Sequence, residues 1–177
     1  MRVFRKKFPP LREILGLYAT IVCLVYSWTS IAFFWKVPSW LYFLTLGEIA
    51  VVLSYLLVSS LLEATIVLFI FLLASLTLPS RWLSDKFLVR GSVIIYSLTF
   101  WVALFDLSSL IELPSSSTVI SFMIGMPLTC ALAIMLVDRI SLVHQAITSL
   151  GDRLTIFLYV CLPLSLIGIF VIILRIL

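Results

Sequence analysis

The chain has 177 residues, of which 63% are apolar and 11% charged, and its mean hydropathy is +1.28. A soluble domain carries roughly 25% charged residues, so this composition excludes a soluble globular protein and leaves an integral membrane protein with little chain outside the bilayer. The formal charge of +4 does not point to nucleic acid. Arg2, Arg5, Lys6, Lys7 and Arg12 precede the first apolar run and the other basic residues flank later ones, where cations act as orientation signals and lipid-headgroup contacts.

Long apolar runs separated by short polar breaks predict an all-α fold, a polytopic transmembrane helical bundle forming a single integral membrane domain over residues 1–177. A transmembrane β-barrel would instead show segments of about 10 residues with period-two alternation. Met1 to Glu13 is a basic, proline-interrupted arm, and the run Ile14 to Trp35 that follows has 22 residues. The apolar region of a cleaved signal peptide has roughly 7–15 residues, and no A-x-A-like site follows here. The expectation is an uncleaved signal anchor spanning about 14–35, with the N-terminus cytoplasmic. Its far end, Phe33 to Trp40, reads as an aromatic belt around one snorkelling lysine, Lys36.

Leu41 to Leu78 then runs apolar for 38 residues, broken only by Glu48, Glu63 and scattered Ser, Thr and Gly. One crossing needs about 20 residues, so the stretch is long for one span and short for two. Two crossings would leave six basic residues on the cytoplasmic side, whereas one crossing leaves ten of the twelve there, so the Lys/Arg bias selects one. The surplus is expected as a helix lying in or re-entering the outer leaflet from Trp40 to about Leu53, with the true span at about 55–78, ended by Pro79-Ser80. Further spans are expected at about 88–105, 118–137 and 154–174, with an outer loop from Asp106 to Ser117 and an external C-terminus. Between the last two spans, Ile140, Val143, Ala146 or Ile147, and Leu150 recur at helical spacing, which predicts a short cytoplasmic amphipathic helix over Asp138–Arg153, with Gly151 suited to its C-terminus.

Few residues stand out as carriers of chemistry. Glu48 and Glu63 are the acids set well within apolar sequence; a charged acid at mid-bilayer costs about 2.5–3.5 kcal/mol on insertion scales, so both are candidate polar or functional residues. Either they sit at the interface or protonated, or they hold the outer-leaflet helix to the bundle, or they line an ion or proton path. Ser121, Gly125, Thr129 and Ala133 form a small-residue stripe at i,i+4 spacing, which reads as helix packing; Gly16, Thr20, Cys23, Ser27 and Ser30 draw a looser one. Pro127 and Pro163 are expected to kink the fourth and fifth spans. Cys23, Cys130 and Cys161 lie inside apolar runs without CxxC spacing and read as packing residues, and His144 reads as a solvated side chain. No Gly-rich phosphate loop, G-x-S-x-G or H-E-x-x-H occurs, so no catalytic, cofactor or metal residue is assigned.

The segment Trp28 to Leu41, with Lys36-Val37-Pro38-Ser39-Trp40-Leu41, together with Phe105-Asp106-Leu107-Ser108-Ser109-Leu110, resembles the N-terminal membrane region of lipoteichoic-acid-synthase-like and phosphoethanolamine-transferase-like proteins. Those are sulfatase-fold enzymes of the alkaline phosphatase superfamily. The resemblance implies a five-span anchor with an external C-terminus, after which the family's catalytic domain would follow; this sequence ends at Leu177. Leu107 and Leu110 depart from the family's polar pattern, and no catalytic residue is carried over. The functional expectation is a non-catalytic membrane anchor, scaffold or accessory subunit whose partners are membrane lipids and other membrane proteins. The alternative is a small transporter or flippase component with Glu48 or Glu63 in a polar path.

Overall fold

A computed structural model describes residues 9–77, 86–111, 115–139 and 141–176. Among the described residues there are five helices and no strands: α1 Leu11–Trp40, α2 Leu46–Thr77, α3 Phe87–Ile111, α4 Ser116–Arg139 and α5 Ser141–Ile176. All five are long and apolar enough to cross a bilayer, which makes this a multi-pass helical membrane protein. Most of the basic arm, the hinge containing Pro79 and Arg81, the loop residues Glu112 and Pro114, and Ile140 lie outside the described residues.

The surplus of the long apolar stretch is resolved differently from the expectation. α1 runs on to Trp40, and the chain then turns over residues 41–45, with the Trp40 carbonyl accepting from Phe43 N at 3.0 Å and Leu44 N at 2.7 Å. From Leu46, α2 continues unbroken for 32 residues, so residues 46–53 are its first turns and no separate outer-leaflet or re-entrant helix forms. The physical reason is local. Thr45 and Glu48 start the helix, and no proline or glycine interrupts the chain between Glu48 and Thr77. A helix of this length spans about 48 Å, and it excludes two crossings between Leu41 and Leu78.

Two other boundaries shift. α3 continues to Ile111, so Asp106 lies on a helix rather than in a loop. The amphipathic segment is likewise no separate helix, because α5 runs from Ser141 to Ile176 without a break. Gly151, expected at a helix C-terminus, sits inside α5, where a Cβ would lie 3.3 Å from Leu88 Cδ1. Its lack of a side chain serves close packing there rather than helix termination.

α1 is the central post. Its buried residues Leu17, Ala19, Ile21, Val22 and Tyr26 pack with residues of α2, α3 and α5, among them Ala64, Phe71, Phe87, Leu88, Ile95 and Leu158. The starts of α1, α3 and α5 meet at one end. Glu13 Oε2 accepts from Leu88 N at 3.2 Å, and Arg12 Nη2 pairs with Asp152 Oδ2 at 2.8 Å. The end of α4 joins them through Val137, which packs with Val89 and Val93 and against Val143 and Ile147 of α5. α4 is otherwise peripheral: among its described side chains only Val137 is buried.

Candidate functional site: a lateral groove

α2 and α3 both pack on α1 and barely touch each other. The cause lies in α3, whose buried residues, among the described side chains, all fall between Phe87 and Ile95. Beyond Ile95 it stands away from α2, leaving a groove floored by α1. A cavity of about 240 Å³ lies there, lined by Ile21, Val25 and Trp28 of α1, Glu63 and Val67 of α2, and Ile95, Leu98 and Thr99 of α3. A second space of about 340 Å³ shares Trp28, Thr29 and Glu63 with it and leads past Ser59 to Lys36 and Trp40. The second space lies between α1 and α2 and adjoins the first through the shared residues, so that a path apolar at its deep end bears an acid and then a base toward the α1–α2 turn.

The vertical spacing follows from helix geometry. Ser60 Oγ donates to Thr29 Oγ1 at 2.9 Å, which sets α2 level with α1 at that point. Glu63 lies three residues deeper along α2 and Lys36 seven residues shallower along antiparallel α1, so their backbones are about 15 Å apart along the axis. Helical Cα–Cβ bonds tilt toward each helix's N-terminus. On antiparallel helices Lys36 therefore leans down the groove and Glu63 leans up it. Both side chains are exposed, and among the described residues neither makes an ion pair or a side-chain hydrogen bond.

Glu48 belongs elsewhere. Its Oε2 accepts from Thr45 N at 2.8 Å and from Thr45 Oγ1 at 2.9 Å, while Glu48 N donates to Thr45 Oγ1 at 3.4 Å. This reciprocal pattern is a capping box, satisfying backbone donors at the start of α2. The spacing Thr45-Leu46-Gly47-Glu48 carries that signal in the sequence, and the sequence reading passed over it.

Of the small-residue stripe, Gly125, Thr129 and Ala133 face inward and Ser121 is exposed. A Cβ on Gly125 would meet Trp101 Cη2 at 2.6 Å, and Trp101 Nε1 donates to Thr129 Oγ1 at 2.7 Å, so the stripe seats α4 on α3, away from the groove. A buried polar knot that sequence reasoning missed joins α1, α2 and α5. In it the Tyr26 and Ser165 hydroxyls share a hydrogen bond, and the Leu57 carbonyl lies 3.2 and 3.3 Å from them, accepting from whichever hydroxyl does not donate to the other. Cys161 is buried and Cys23 half-buried; half-buried Cys130 donates to Ser97 Oγ at 3.2 Å. His144 is half-buried near the start of α5, and among the described residues no three His, Cys, Asp or Glu side chains gather as a metal set.

Compared with protein-family models, curated proteins and solved structures, the chain matches none of them.

Proposed function

We propose that this protein is a non-catalytic five-span module that holds a membrane lipid in the groove between α2 and α3, serving as an anchor, scaffold or accessory subunit of a larger membrane assembly. The observation that carries this reading is the open groove itself, which combines an apolar interior with Lys36 and Glu63 on its walls. The Lys/Arg distribution supports a cytoplasmic N-terminus: Arg12, Lys86, Arg90, Arg139 and Arg153 lie toward the end where α1 and α3 begin, and Lys36 and Arg175 toward the other. Under that orientation the groove opens toward the outer leaflet.

Native mass spectrometry after mild detergent extraction tests the reading. One retained lipid per chain is expected, lost on filling the groove with Leu98→Trp and kept with Met123→Trp on the exposed face of α4. A chain that retains no lipid, or equal retention by both variants, contradicts it. Orientation is tested in a chain whose three cysteines are replaced by serine. An impermeant thiol reagent applied to intact cells should label Gly47→Cys and spare His144→Cys, and the reverse pattern contradicts the assignment.

A second reading, a small transporter or flippase component, is favoured by one observation: Glu63 faces the groove without a partner among the described residues. Glu48, engaged in its capping box, drops out of such a path. Lipid translocation in reconstituted vesicles that Glu63→Gln abolishes would select this reading over the static one.

A further inference from the structure

We infer that the groove selects a single-chain lipid phosphate carrying a free hydrogen-bond donor, a hydroxyl or ammonium, on the carbon next to the phosphate-bearing one. This rests on the lipid-binding reading above and names the occupant's chemistry.

The order of chemical groups along the groove carries the inference. From the α1–α2 turn inward the groove presents Lys36, then Glu63 across a stretch bordered by Ala32, Phe33 and Leu56, then an apolar end that includes Ile21, Val25, Ile95 and Leu98. A ligand lying along it must therefore present an anion outermost, a donor next and hydrocarbon last. A phosphate suits the ammonium of Lys36, since charge-assisted hydrogen bonds of this kind are among the strong ones. A carboxyl group at the depth of Glu63 is costly without a partner, and a hydroxyl or ammonium donor on the ligand supplies one. Trp28 lines both cavities at the level of Glu63 and adds an aromatic face for a cationic donor. A diacyl phospholipid does not fit this order, because its backbone hydroxyl is esterified and Glu63 faces an acyl ester with no proton to give. A zwitterionic headgroup lipid fits no better, because its amine lies outside its phosphate and would meet Lys36.

The test uses the full chain in phosphatidylcholine nanodiscs with three probes of matched chain: lysophosphatidate, phosphatidate and monoacylglycerol. Binding is read by native mass spectrometry or by displacement of a fluorescent lysophosphatidate. Lysophosphatidate is expected to bind about tenfold more tightly than either other probe, one such hydrogen bond or ion pair being of that order. Glu63→Leu should erase the preference over phosphatidate, and Lys36→Met should erase the preference over monoacylglycerol. Both variants replace a charge with an apolar side chain compatible with lipid, and unchanged thermal unfolding establishes that they fold. Equal binding of lysophosphatidate and phosphatidate, or a preference that survives both substitutions, overturns this inference while leaving a lipid-holding groove intact. Failure of every probe to bind overturns the groove reading as well.

Discussion

The two halves of α3 face the same neighbour, α1, yet are packed in opposite ways. Over Phe87–Ile95 the helix is locked: Leu88 sits against both Gly16 and Gly151, and Leu17 lies against Gly91, where a Cβ would meet its methyl groups at 2.9 Å. Glu13 binds the backbone N–H of Leu88 at the same end. Beyond Ile95 there is no glycine on α3 and, among the described side chains, no buried one, and aromatic Trp101 and Phe105 turn toward Phe122 of α4 with ring centroids 5.0 and 5.3 Å away. In lipid there is little hydrophobic drive between helices, so close approach depends on small residues and on packing. Where these close contacts with α1 and α5 stop, the space between α3 and α2 widens into the groove. The closed half holds the architecture and the open half is left for a ligand.

Four substitutions and one control, Gly47→Leu, sharpen or break that contrast. The largest effect is expected at the locked end. Gly91→Leu drives a side chain into Leu17 and should cost about 1–3 kcal/mol by unfolding in detergent, whereas Gly47→Leu, with nothing within 4 Å, should stay within about 0.5 kcal/mol. Next comes the start of α2. Thr45→Ala removes the hydroxyl arm of the capping box, leaving the backbone N–H of residue 45 on Glu48 Oε2, and should cost about 1 kcal/mol, seen as faster hydrogen exchange over residues 46–49 with lipid retention unchanged. A change in lipid retention there would bring Glu48 back into the site. Tyr26→Phe takes one hydroxyl from the α1–α2–α5 knot, and an interhelical bond of this type is worth about 0.6 kcal/mol. The smallest effect belongs to Arg12→Gln. Its pair with Asp152 leaves the two side chains 83% and 52% exposed, so the loss should be below about 0.5 kcal/mol and vanish in high salt.

How far the sequence discloses this molecule depends on whether a feature is local. Helix number follows from run length and charge, because crossing length and the cost of translocating cations act segment by segment. Glu63 and Lys36 are recognisable singly as an acid in apolar sequence and a lysine in an aromatic belt. That they share one groove is not legible, because the groove exists through the departure of α3, whose residues lie far away in the chain. Glu48 is the opposite case. A hydrogen-bonded carboxyl near the interface is among the readings open for it, and its partner, Thr45, stands three residues away in the sequence. The separate helix expected before α2 rests on bilayer thickness as a limit on helix length, and the one expected over Asp138–Arg153 on a local helical period. α2 meets no breaker between Glu48 and Thr77 and α5 runs straight through Gly151 and Pro163, so each continues as one helix.

The most direct test of the central claim is an electron-density or cryo-EM map of the protein in lipid. The account expects elongated density between α2 and α3, running along Ile21, Val25 and Leu98 and ending in a head between Glu63 and Lys36. A map in which α3 lies against α2, with Leu98 and Val67 in direct contact and no room between them, would contradict it.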